Sequence, residues 1–415
     1  MLPMIQFPLD LPEVRVLGTE ITDTGDVVIR VESTLEGTSC RRCGRHIGDF
    51  HGHDRPLRLR HLPILDRRVF IEIRPKRYRC PYCQGNPTTT QGCAWYNPNS
   101  PHTKAYERLV LRELINSTLA DVSSKQGIGE EAIEGILDRY IATSVQWEQW
   151  EWIGVLGLDE IALKKGHRDY VTIVTTRGAQ GEVRVVGVLA DRQKETVKAF
   201  LASIPQRLKE TIRRVCTDMH EGYVRAVEEE VPEAEVVVDR FHVAKGYRAC
   251  ADQMRKTELQ RLKKELPEEQ YEEVKGTMWT FRKNAADLDE GERQRLEKVF
   301  WYAPELKVAY ELREELTTIF ETADSKAEAT QAMEQWQERV RASGLSCFQS
   351  FLTTLDNWMD KITNYFLDRE TSGFVEGLNN KLKVLKRRCY GIFNVARLFQ
   401  RISLDLEGYR LFGLS

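Results

Sequence analysis

The chain has 415 residues, 41% of them hydrophobic and 30% charged, with a formal net charge of -2. That length exceeds what one hydrophobic core serves, so roughly two to four domains with charged, helix-rich surfaces are expected. No apolar run nears the roughly 20 residues that span a bilayer, and the opening MLPMIQFPLDLPEV lacks the basic start and apolar core of a secretion signal; a cytoplasmic protein with no membrane partner is expected.

Residues 1–36 carry short β-branched stretches, with Val27, Ile29 and Val31 on one face, the pattern of an edge hairpin. Nine cysteines are too few for a disulfide scaffold in a chain of this length, and four stand as Cys40-Arg-Arg-Cys43 and Cys80-Pro-Tyr-Cys83. In a reducing cytosol that spacing points to metal. Each pair closes a knuckle, and two knuckles complete a four-thiolate structural Zn²⁺ site. Strands from HLPILDRRVFIEIRPKRYRC fill the gap, and His46, His51, His53 and His61 offer alternative ligands that four thiolates make unnecessary. Residues 1–95 therefore read as a zinc-binding β module. The net charge hides an asymmetry: Cys40 to Cys80 holds twelve Arg or Lys against four Asp or Glu, and Glu376 to Arg401 seven against one. Partners follow such local patches more than the total.

Over 103–147 apolar residues recur at helical spacing (Leu109, Leu111, Leu114, Ile115, Leu119). In LADVSSKQGIGEEAIEGILDRYI, Ala120 and Val122 begin a short helix, Gly127 marks a turn, and Ala132, Ile133 and Ile136 line the inner face of a second helix. This is a helix-turn-helix pattern. Glu130, Glu131 and Glu134 make its reading helix acidic, so a plain helical hairpin stands beside the DNA reader as an alternative.

From Trp152 the chain alternates strands and helices. IGVLGLD, DYVTIVT and EVRVVGVL read as strands, KETVKAFLASI as a helix, RRVCTD as a strand, HEGYVRAVEEE as a helix and AEVVVD as a strand. Three strands, then helix, strand, helix, strand is the order of a ribonuclease-H-like α/β core, here 152–240. Residues 241–360 form a long amphipathic all-α insert, and 361–415 supply C-terminal helices that complete the core.

Asp159 ends the first core strand and Asp218 the fourth. A carboxylate closing an apolar strand is poorly placed for core packing. If the two strands are neighbours, the pair can hold divalent ions, and hard oxygen ligands select Mg²⁺ or Mn²⁺. Two such ions activate a water or a 3'-hydroxyl and stabilise the leaving oxygen. Glu376 is the candidate third carboxylate, on a helix where Asn379, Asn380, Lys383 and Arg387 fall on or near one face. The plain alternative is that the aspartates cap turns and Glu376 pairs with a lysine on a solvated face. Asp239 and His242, in VVVDRFHVAK, close the fifth strand; His242 either orients a phosphate or water, or caps the next helix.

The phrases GLDEIALKKGHRDYVTIV, CTDMHEGYVRAV, VVVDRFHVAK and VEGLNNKLKVLKRRCYGIFN resemble the insertion-sequence transposases of the ISL-three group, in the right order and over nearly the whole chain. The resemblance implies a zinc segment, a helix-turn-helix and a DDE catalytic domain, with Asp159, Asp218 and Glu376 as the triad. Asp239 and His242 match the Asp-x-x-His signature of related transposases; Gly373 stands where an Asn is often found. The function implied is that of a bacterial insertion-sequence transposase that binds terminal inverted repeats and cuts and joins double-stranded DNA with Mg²⁺ or Mn²⁺, as a homodimer or larger assembly when two ends are synapsed. DNA contact is expected at Arg67 and Arg68, and at Lys383, Lys386, Arg387 and Arg388. The rivals are a catalytically silent DNA-binding regulator and a nuclease of the same fold.

Overall fold

The computed structural model describes residues 8–162, 170–178, 181–369, 373–389 and 394–413, and on the helix Gly373–Arg388 the side chains from residue 377 onward. The chain divides into two compact units, Met1–Ile141 with Ser403–Ser415, and Ala142–Ile402.

The first unit opens with β1 (Val14–Ile21) and β2 (Val27–Ser33), followed by β3 (Thr38–Ser39), β4 (His46–Ile47), β5 (Asp49–His53), β6 (Leu57–Ile64), β7 (Arg67–Ile73), β8 (Lys76–Arg79) and β9 (Thr88–Thr90). One sheet has the order β1-β2-β7-β6, another β5-β8-β9, and β3 pairs with β4. The expected hairpin is present, with β1 as the edge; β2 lies inside, parallel to β7. Val27, Ile29 and Val31 pack with Leu59, Val69, Ile71, Ile73 and Trp95. A separate small cluster gathers Cys40, Ile47, Tyr78, Cys80 and Cys83.

Three helices follow: α1 (Lys104–Leu114), α2 (Leu119–Gln126) and α3 (Glu130–Tyr140). Thr103 and Thr118 cap α1 and α2 by accepting from the backbone N–H of Tyr106 and Asp121. Gly127, at φ 62°, ends α2 in the left-handed region that glycine enters without cost. Val110, Leu111, Leu114, Val122, Ile133, Ile136 and Leu137 form the core of these helices.

The second unit begins with β10 (Val155–Ala162), β11 (Tyr170–Arg177), β12 (Val183–Leu189), α4 (Lys194–Ala202), α5 (Gln206–Lys209), β13 (Arg214–Thr217), α6 (Glu221–Glu230) and β14 (Glu235–Val238). They form one sheet of order β12-β11-β10-β13-β14. The first three strands are antiparallel, while β13 and β14 run parallel to β10. Alternation sends successive residues to opposite faces. Leu156, Val215 and Val236 pack with Val197, Leu201, Tyr223 and Val227 of α4 and α6. Val155, Cys216 and Val237 face the other way, toward Val243, Tyr247, Phe351 and Leu355. Covered on both faces, the strands carry the near-continuous apolar runs seen in the sequence.

That second face belongs to a helical region: α7 (Arg240–Glu265), α8 (Glu268–Val274), α9 (Met278–Arg282), α10 (Glu290–Tyr302), α11 (Pro304–Thr322), α12 (Lys326–Ser343) and α13 (Gln349–Thr363). Its core is aromatic-rich, with Trp336 set edge-on to Phe348 and Phe351. Two more helices, α14 (Gly373–Arg388) and α15 (Val395–Phe412), complete the chain. Among the described residues no helix is long and apolar enough to cross a membrane.

Candidate functional site

Among the described residues, chemically capable side chains gather at four cysteines of the first unit and around two aspartates of the second. In the first, the Sγ atoms of Cys40, Cys43, Cys80 and Cys83 lie within 4.8 Å of one another, with Cys40 to Cys83 at 4.0 Å and Cys43 to Cys80 at 3.7 Å. A tetrahedron with Zn–S bonds of about 2.3 Å has edges of about 3.8 Å, so the arrangement fits the ion. All four are free thiols. Backbone N–H groups of Cys43 and Arg42 draw the Cys40 thiol down to about 6, while hydrogen bonding from Cys43 and burial push Cys83 up to about 12. Two of the four alternative histidines are engaged elsewhere: His61 Nδ1 meets the Thr103 hydroxyl at 2.9 Å, and His51 Nδ1 meets Arg79 at 2.6 Å.

The acidic cluster of the second unit follows from strand register. Leu158 pairs with Thr217 as the last pair of the parallel β10–β13 ladder, so Asp159 and Asp218 each lie one residue beyond it, at the same end of two neighbouring strands. Asp159 does not end its strand as expected. β10 runs on to Ala162, because residues 159–162 keep pairing with β11 after β13 has stopped. The two aspartates thus sit where the ladder opens. Asp239 follows β14, caps α7 by accepting from the Phe241 N–H at 3.1 Å, and is itself buried. His242 is in the first turn of α7.

Burial pushes both Asp159 and Asp218 above the ordinary carboxylate range, and the His242 imidazole draws each partly back down. One Asp159 oxygen accepts from the Glu160 N–H at 2.7 Å, and the other from the Asn379 side chain. Asp218 Oδ1 and Asn379 Oδ1 are buried without a hydrogen-bond partner among the described residues. These two oxygens and the Asp159 carboxylate are hard donors of the kind that Mg²⁺ or Mn²⁺ accepts.

Asn379 also fixes the path of α14. Seven residues later, Lys386 donates to the Ala162 carbonyl. The strand advances about 10 Å from Asp159 to Ala162 and the helix about 10 Å from Asn379 to Lys386, so α14 runs alongside the end of β10. Glu376 belongs to α14 one turn before Asn379; its side chain lies outside the described residues. Lys383 and Arg387 are exposed and Arg388 half-buried. In the first unit, Arg68 makes a bidentate pair with Asp26, at 2.7 and 3.1 Å, and Arg67 donates to the Gly25 carbonyl at 3.1 Å.

Two contributors escaped the sequence. The bond from Asn379 to Asp159 spans 220 positions, and its only sequence trace was the polar face of α14. Arg192, which holds Glu160 at 3.0 Å and stacks on Tyr170, left no signal.

The family model of ISL3 transposases, described as "Transposase", matches residues 156–402, and that of the "zinc-finger of transposase IS204/IS1001/IS1096/IS1165" matches residues 36–83. The transposase for insertion sequence element IS1001 of Bordetella parapertussis is 28% identical over 92% of this chain and 91% of its own length. That for IS1557 of Mycobacterium tuberculosis is 24% identical over 94% and 91%. Among solved structures, the Drosophila P element transposase strand transfer complex aligns at 11% identity over 65% of this chain and 80% of that one, with a TM-score of 0.35. With more than half of its length matched by one family and its cysteine knuckles by the accompanying zinc finger, the chain belongs to the ISL3 transposases.

Proposed function

We propose that this transposase cuts and joins double-stranded DNA by metal-dependent phosphoryl transfer, with Asp159, Asp218 and Glu376 as the DDE triad of a ribonuclease-H-like core. The observation that carries this reading is the opening of the β10–β13 ladder at two desolvated aspartates, with α14 bonded to one of them through Asn379. The strand order, two parallel strands added beside a three-stranded antiparallel meander, supports the fold assignment. Glu376 precedes Asn379 by three positions, on the same helix face.

Bound Mg²⁺ or Mn²⁺ would supply Lewis-acid activation of a water or 3'-hydroxyl and stabilisation of the leaving oxygen. The chain's own groups do the positioning. Asn379 orients Asp159, Asp239 caps the start of α7, whose first turn carries His242 within electrostatic reach of both aspartates, and His242 is suited to holding a phosphate oxygen or relaying a proton. The separation of helices α2 and α3 by Gly127 supports reading them as a helix-turn-helix, although Glu130 and Glu131 keep the start of α3 acidic. Terminal inverted repeats would be its target, and synapsis of two ends calls for at least a dimer.

The test is a gel assay with a 3'-hydroxyl donor end and plasmid target, with and without Mg²⁺. Metal-dependent joined product is expected, and Glu376→Gln should abolish it. Cleavage without joining would favour the nuclease, and binding alone the silent regulator.

A further inference from the structure

We infer that the tip of the zinc module, formed by Arg41, Arg42, Arg45 and Tyr82, is a sequence-independent grip on the DNA backbone; the inference rests on the proposal that DNA is the substrate. The two knuckles are stitched together by more than their cysteines. Arg42 Nη1 donates to the Gln84 carbonyl at 3.2 Å, and the Arg45 guanidinium lies 5.1 Å from the centre of the Tyr82 ring. Each contact crosses from the first knuckle to the second, so closing the four-sulfur cluster assembles the tip. All four side chains are exposed, and Tyr82 keeps 60% of its surface open.

Charge separates this tip from the rest of the module. Neither 40–48 nor 80–93 contains an Asp or Glu. Four arginines of the four-stranded sheet are instead paired with carboxylates: Arg15 with Glu32, Arg30 with Glu20 and Glu72, Arg58 with Glu72, and Arg68 with Asp26; Arg60 lies over the Phe70 and Tyr106 rings, and Arg67 donates to the Gly25 carbonyl. A phosphate approaching any of those four paired guanidiniums has to displace a carboxylate; at the tip it displaces only water and a carbonyl. Guanidinium forks match phosphate oxygens, and an exposed tyrosine face packs on sugar or base without reading sequence. The competing role for these arginines is to offset the charge of a four-thiolate zinc centre, about -2. That role predicts lost zinc on their removal, whereas a backbone grip predicts a lost salt dependence.

The experiment uses the full chain, a fluorescein-labelled duplex of arbitrary sequence, and anisotropy titrations across a range of KCl concentrations, with zinc content measured on each sample. Each lost phosphate contact lowers the slope of log affinity against log salt by about 0.9. The R41A/R42A/R45A triple variant should therefore lose about 2 to 3 from the slope while keeping its zinc. The R41K/R42K/R45K variant should restore most of that slope. Y82A should weaken binding with the slope unchanged, and R30A/R58A should match wild type. An unchanged slope in the alanine triple, or loss of its zinc, overturns the inference while wild-type binding leaves the DNA reading standing. A wild-type chain that binds no duplex even at low salt overturns both.

Discussion

Asp218 concentrates the energetic problem of the acidic site. Burial, with Glu160 and Asp159 nearby, holds its carboxyl above the ordinary range against the pull of His242 and His220, and its Oδ1 has no hydrogen-bond partner among the described residues. Its folded value is raised above the unfolded one of about 3.9, so ionisation penalises the fold, increasingly as pH rises from about 4 through the raised value. In EDTA, wild type should lose stability across that window, and Asp218→Asn should lack that component. At pH 7 the variant should melt at or above wild type while strand transfer falls by a factor on the order of a thousand or more. Thermal melts between pH 4 and 7, with a joining assay, check both; a variant that melts lower throughout would mean that the carboxylate has a structural partner. Asp159 and Asp218 drew attention in the sequence because a charge following an apolar run is conspicuous, although β10 runs on past Asp159. Asn379 did not, since only the docking of α14 onto β10 tells which of its polar residues meets Asp159.

Strands and helices were legible where a period had room to show. The apolar runs of β10 to β12 and the apolar spacing of α1 to α3 announced themselves, whereas α5 is too short to carry a period. The C-terminal helices show the limit more clearly. Residues 361–415 were expected to complete the second domain, yet Ser403–Ser415 groups with the first unit. There Asp405 accepts from the Asn116 N–H at 3.0 Å, Phe412 meets Tyr140, and Gly408 leaves room for Ile115. Amphipathic spacing reveals an apolar face but not which core receives it. The same unit holds a buried hub that no pattern marks. Glu107, fully buried, accepts from Asn97, Ser100, Tyr140 and Arg139, tying the loop after the zinc module to α1 and α3. Removing one partner of such a network leaves several groups unsatisfied, so Glu107→Ala should cost about 2–4 kcal/mol. Hydrogen exchange should accelerate in 97–140 and not in the sheet of the second unit; protection retained in α1 and α3 would show that the hub contributes little.

At the scale of the whole molecule, stability comes from cores of unequal strength, and the zinc cluster is the weakest without its ion. Its buried set is only Cys40, Ile47, Tyr78 and Cys80, beside strands of two to five residues. A structural Zn²⁺ contributes about 10–16 kcal/mol of apparent binding energy at neutral pH, far more than so few side chains can supply by burial. The neighbouring four-stranded sheet has its own core around Val69, Ile71 and Trp95, and both units carry helical cores that touch no cysteine ligand. About one zinc per chain is expected. Chelation, or Cys80→Ser, should raise exchange in β3, β4, β5, β8 and β9 while β2, β7 and the sheet of the second unit stay protected. Metal analysis of freshly purified protein and segment-resolved hydrogen exchange make the comparison. Protein without zinc, or exchange that rises evenly through the chain on chelation, would show that these four thiols do not hold the front of the molecule together through a metal.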